Sequence, residues 1–164
     1  MTSITASASI LESNTSEPHA IYGFERWGRD LLTVLKNGDV GLKNPLKPDT
    51  VPISLPSIIR DLEQRGIHAP LLLRVSSFLD NENRSINTAF ETAIKQAGYR
   101  GVYRGVFPIK VNQQAQVIRQ IVDFGRPYSF GLEAGSKPEL VIALAQSLEQ
   151  DALVMCNGVK DMKF

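Results

Sequence analysis

Cys156 is the only cysteine in this 164-residue chain, so no intrachain disulfide can form, and a reducing intracellular compartment suits that usage. Set in the run ALVMC, it reads as a small buried hydrophobe rather than a reactive thiol. His19 and His68 are the only histidines, and neither has a cysteine or aspartate at ligand spacing, which argues against a protein-built zinc site. No apolar run is long enough to span a bilayer. The opening MTSITASASILESNTSEPHA has neither the basic nor the apolar region of a secretory signal, and it contains no arginine. Its Ser/Thr richness predicts a disordered tail over residues 1–20 and, by default, a cytoplasmic address. Net charge is scarce too. A formal +1, with no long Lys/Arg run, gives no electrostatic footprint for nucleic acid or an anionic membrane.

What is present is ordinary globular material, 43% apolar and 21% charged, in a length that suits one domain. Residues 21–56 form an opening segment. It has aromatics, turn signals at Asn37-Gly38 and Gly41, and a connector, KNPLKPDTVPISLP, with four prolines. From residue 57 to 164 the chain is periodic. Ser54 or Ser57 can cap a helix with Ile58, Ile59 and Leu62 on one face and Gly66 at its end. PLLLRV (70–75) reads as a strand, and Ile86, Ala89, Phe90, Ala93, Ile94 and Ala97 follow helical spacing up to Gly98. A strand in the second half of GVYRGVFPIKV (101–111) precedes Asn112, placed as an N-cap, and a helix carrying Val117, Ile118, Ile121 and Val122. YSFGLE (128–133) is a third strand. Ser136 and Glu139 form a capping box for a helix with Leu140, Val141, Leu144 and Leu148, and ALVMC (152–156) is a fourth strand.

Strands alternating singly with helices require a parallel sheet joined by crossovers, an α/β class. The pattern alone leaves open whether the sheet is doubly wound or part of a barrel. In such folds ligands gather at the carboxyl ends of strands. Lys110 falls there after the second strand, Glu133 and Ser136 after the third, and Asn157, Lys160 and Asp161 after the fourth. A lone lysine at a strand end usually just extends to solvent, and Glu133 could simply favour the next helix through its dipole. The chemical alternative is a lysine in the apolar wall of Val106, Phe107, Ile109 and Val111, with an amine able to attack a carbonyl.

Three stretches, GVYRGVFPIKVNQQAQVI, FGRPYSFGLEAGSKPELVIALA and CNGVKD, closely resemble the biosynthetic arginine decarboxylases, over about Tyr22 to Phe164. The resemblance implies a pyridoxal-phosphate enzyme of the alanine-racemase-like class, converting L-arginine to agmatine for polyamine synthesis. It implies that Lys110, in the P-[IV]-K-x-N context, carries the cofactor as a Schiff base. Glu133, Ser136 and Asn157 are then cofactor-binding, Asn157 from the pocket rim, and Lys160 and Asp161 are substrate-pocket candidates. Ser77 stands where the family usually has an aspartate, and no role is assigned there. Magnesium and a homo-oligomer follow from resemblance only, and no protein-built metal site is visible.

A complete (β/α)8 TIM-type barrel takes about 250 residues, whereas the pattern here amounts to about four βα units. The expectation is an incomplete barrel: a fragment, a truncated product or one half of a split decarboxylase, inactive alone. The alternative from another class is a small non-catalytic α/β module that binds a ligand or partner at its strand ends.

Overall fold

The computed structural model describes residues 16–162 and 164, so most of the expected tail, residues 1–15, lies outside the described residues. The last part of that stretch is ordered, contrary to expectation: α1 (Ser16–Tyr22) is helical, followed by the single turn α2 (Phe24–Trp27). The chain divides into two compact units, residues 1–73 and 74–164.

The first unit is built on a small antiparallel sheet, β1 (Leu32–Val34), β2 (Val40–Leu42) and β3 (Ile53–Ser54), in that order. The β1–β2 turn is the one signalled by Asn37-Gly38. Gly38 adopts φ 84, where a side chain would be strained, and the Asn37 carbonyl-amide oxygen accepts from the Asp39 N–H at 3.1 Å. β3 leads into α3 (Leu55–Gln64). Pro56 is harmless in its first turn, where the missing N–H has no helical partner, and Ser54 Oγ accepts from the Ser57 N–H at 3.2 Å. The same hydroxyl donates to Asp39 Oδ2 at 2.6 Å. That bond holds the Asp39 carboxyl below its usual range. Desolvation opposes the shift, and Asn37 Nδ2 and the Arg60 charge support it. His19 joins α1 to β1, its Nε2 accepting from the Val34 N–H at 3.2 Å. Trp27 is 58% exposed and meets the buried Phe24 ring edge-on.

The second unit opens with α4 (Ser76–Ala97), longer than its apolar spacing predicts and stopped by Gly98 at φ 60. Next come β4 (Val106–Pro108), α5 (Ala115–Gly125), β5 (Gly131–Ala134), α6 (Lys137–Leu144) and β6 (Val154–Cys156). The strands form a parallel sheet in the order β4-β5-β6, with Phe107 opposite Leu132 and Leu132 opposite Val154. The parallel α/β pattern is therefore present, with one fewer strand than expected. Residues 70–75 enter no ladder, and Leu72 is 75% exposed. An apolar run becomes a strand only where a neighbour takes up its backbone donors and acceptors. The core lies between sheet and helices: Ile109, Ile118, Val122, Leu132 and Ala143 are nearly or fully inaccessible. Cys156, expected to be buried, is exposed with the rest of β6. The strands approach closely at Gly131, where a Cβ would lie 2.0 Å from the Leu153 carbonyl oxygen.

The helix pair α4–α5 departs from the expected pattern. Asn83 and Asn87 are the buried residues of α4, joined by Asn87 Nδ2 to Asn83 Oδ1 at 2.7 Å, while Ile86 and Phe90 are nearly half exposed. Phe90 instead stacks on Tyr103, with ring centroids 3.9 Å apart.

Candidate functional site

Because β4, β5 and β6 run parallel, their carboxyl ends share one edge, and all six strand-end candidates follow or close a strand there. Beyond β4 the backbone tightens into a 3-10 turn over Ile109–Val111. This turn sends Ile109 wholly into the core and leaves Lys110 exposed, so the expected apolar wall does not enclose the lysine among the described residues. No hydrogen bond or ion pair among the described residues holds the Lys110 ammonium. Asn112 does not cap α5. Its side-chain oxygen accepts from the Gln114 N–H at 3.1 Å, and Gln114 is the N-cap residue. Gln114 Oε1 in turn accepts from Arg74 Nη2 at 2.7 Å, bracing the segment that follows Lys110. Sequence reading missed Arg74 in this role, since the partner is distant in the chain.

Glu133 sits within β5, opposite Pro108 on β4 and Met155 on β6. It is 5% exposed, and neither carboxylate oxygen has a hydrogen-bond partner. An unsatisfied buried carboxylate costs more than a neutral orphan and calls for a donor. A second buried acid stands close by. Glu139 accepts from the Gly135 N–H at 2.7 Å, while its own N–H reaches Ser136 Oγ at 3.4 Å. The capping box is thus closed through Gly135 rather than through the cap residue's own N–H. A Cβ on Gly135 would be 3.4 Å from Glu139 Oε2 and 3.8 Å from Glu133 Oε1.

The loops after β5 and β6 meet in an open cleft of about 340 Å³ whose lining includes Ser136, Lys137, Lys160, Asp161 and Phe164. Asn157 N–H donates to the Ala134 carbonyl at 2.9 Å, and Lys137 Nζ lies 3.9 Å from Asp161 Oδ1. Lys160 Nζ donates to the carbonyls of Gly135 (3.2 Å) and Asn157. Ser136, Lys160 and Asp161 are therefore gathered in one cleft, with Asn157 contributing backbone to the junction beside it. Lys110 does not line this cleft. A wider hollow of about 500 Å³ runs along α4 beside Arg84, Thr88 and Thr92, with no strand-end group in it. Among the described residues no group of three or more His, Cys, Asp or Glu is placed to hold a metal ion. No described helix is long and apolar enough to cross a membrane.

The buried, unpartnered Glu133 is an observation of this chain that suits pyridoxal phosphate, whose donor groups a carboxylate can accept. Comparison with known proteins gives the relatives. No family model matches the chain. The biosynthetic arginine decarboxylase of Prochlorococcus marinus (strain MIT 9303) is 43% identical over 145 residues, 88% of this chain and 22% of that protein. The enzyme of the same name from Nostoc sp. (strain PCC 7120) is 42% identical over 148 residues, 90% of this chain and 22% of its own length. Among solved structures, the biosynthetic arginine decarboxylase SpeA from Campylobacter jejuni superposes with a TM-score of 0.77 at 33% identity, covering 87% of this chain and 23% of that one. The chain thus spans between a fifth and a quarter of the proteins it matches. In sequence and in backbone alike, it is similar to a segment of the biosynthetic arginine decarboxylases.

Proposed function

We propose that this chain supplies the lysine-bearing segment of a pyridoxal-phosphate-dependent decarboxylase that converts L-arginine to agmatine and carbon dioxide, a reaction serving polyamine synthesis in the cytoplasm. The parallel β4–β6 sheet with its α5 and α6 crossovers would form consecutive units of a (β/α)8 barrel. The observation that carries the reading is Glu133, a buried carboxylate with both oxygens unpartnered, at the carboxyl edge of a parallel sheet whose neighbouring strand leads into Lys110.

When bound, pyridoxal phosphate supplies an electron sink for bond cleavage at the substrate's α-carbon. The remaining roles fall to the chain's own residues. Lys110 presents a primary amine from a short, rigid turn anchored by the buried Ile109, free to meet a carbonyl. Glu133 offers buried acceptor oxygens that no described residue satisfies, so a donor brought to them would gain most. Ser136 gives a hydroxyl at the mouth of the neighbouring cleft. The exposed apolar side chains of Leu153, just before β6, and of Val154 and Met155 on it support a sheet that is extended by further polypeptide in the working enzyme. Agmatine formation is accordingly expected from that larger assembly and not from the purified 164-residue chain. A homo-oligomer and a magnesium requirement belong to the same reading.

The test is reductive capture. Pyridoxal phosphate and borohydride added to the chain should leave a stable pyridoxyl label that peptide mapping places on Lys110. Lys110→Ala should abolish that label and leave other lysines at background. Labelling spread evenly over the surface lysines would sink the reading.

A further inference from the structure

We propose that Lys160 is a positioning residue, an internal clamp that joins the loops after β5 and β6 and sets where Gly135 and Ser136 stand. The placement of the ammonium carries this. Its Nζ donates to the backbone carbonyls of Gly135, 25 residues earlier in the chain, and of Asn157, and it stands 4.0 Å from the centroid of the Phe164 ring. A lysine ammonium has three donors and no acceptor. Two carbonyls and one aromatic face take up all three directions, so at the lining of the cleft the ammonium is engaged by the chain's own groups rather than held out for a substrate.

The carbonyls it takes lie just past the last ladder bond of the sheet. Asn157 N–H to the Ala134 carbonyl, at 2.9 Å, continues the β5–β6 pairing. Beyond it the backbones diverge, and a carbonyl there has no strand partner. Lys160 replaces the missing ladder step with a side chain. What it holds is the short segment between the buried Glu133 and the Ser136 cap of α6, which is also tied by Gly135 N–H to Glu139 at 2.7 Å. Asp161, next in sequence, lies 3.9 Å from Lys137 Nζ on the same rim. The functional consequence for cofactor capture rests on the decarboxylase reading, whereas the clamp itself does not.

Two measurements on the full chain separate them. In Lys160→Met, which keeps an unbranched side chain and removes the ammonium, amide exchange at Gly135 and Asn157 should quicken about tenfold, with protection in α5 unchanged. Lys160→Arg, retaining donors, should restore most of the loss. Unchanged exchange at both amides in Lys160→Met overturns the clamp. If Lys160→Met loosens α5 as well, the arginine variant decides: Gly135 protection regained supports the clamp, and its continued loss overturns it. In reductive capture, the pyridoxal phosphate concentration for half-maximal labelling of Lys110 should rise about tenfold in Lys160→Met, with the limiting rate unchanged. A drop in limiting rate at unchanged half-saturation would overturn the positioning role. No Lys110 label in the unaltered chain would refute the decarboxylase reading, and the exchange comparison would still judge the clamp.

Discussion

Asp39 and Glu133 are both acids at an end of the central strand of a sheet, one in each compact unit, and the two units treat them in opposite ways. Asp39 precedes β2 in the antiparallel unit and is met by Ser54, by Asn37 and by the charge of Arg60. Every partner is there because the turn and the helix cap need it, so the carboxylate is part of the scaffold. Glu133 in the parallel unit is more deeply buried and has no partner for either oxygen. One acid is thus met by its neighbours and the other, though buried, is not, and under the decarboxylase reading proposed above the second is where stability would be given up for binding. Topology explains the asymmetry. Antiparallel strands return through tight turns that fill their own ends, whereas parallel strands leave all their carboxyl ends along one edge.

The largest expected effect comes from breaking the sheet that holds Glu133. Leu132 is fully buried beside it, facing the helices, and Leu132→Ala should cost about 2–5 kcal/mol, read from the urea midpoint and from lost amide protection in β4–β6. Next, Glu133→Met should stabilise the chain by about 1–3 kcal/mol while reducing capture of pyridoxal phosphate, because the buried unpartnered acid is removed together with the acceptor proposed for the cofactor. A loss of stability on that change would mean that Glu133 already has a structural partner, and the contrast with Asp39 would fail. The smallest effect belongs to the satisfied acid. Ser54→Ala should cost about 1 kcal/mol, since one hydroxyl both caps α3 and bonds Asp39. The folded-state pKa of Asp39 lies below its usual 3.8, so its contribution is present above that value and is lost as pH falls through the depressed one. Ser54→Ala should therefore flatten the acid limb of the stability curve, as measured by urea unfolding at stepwise lower pH.

Much of this was legible in the residues because it is local. The turn at Asn37-Gly38, the Ser54 cap, the Gly98 stop, the apolar face of α5 and the Ser136–Glu139 box each depend on neighbours within a few positions. The failures are non-local. Residues 70–75 have a strand's composition but no partner strand, and Asn83 and Asn87 take the buried face of α4 that the apolar spacing assigns to Ile86 and Phe90. Spacing located Lys110 at a strand end, yet the tight turn that buries Ile109 and turns the lysine outward was not encoded in the alternation. The engagement of Lys160 with a carbonyl 25 residues away had no sequence signal at all.

The contact at Gly131 has a mechanical meaning. With the Leu153 carbonyl 2.0 Å from where a Cβ would sit, any side chain at position 131 pries β6 away from β5 at their amino ends. At the opposite end Lys160 staples the same two strands' loops together. The sheet is thus shut by contact at one end and by a cross-link at the other. Damage at position 131 should splay it from the side remote from the cleft, leaving the stapled edge the last to open.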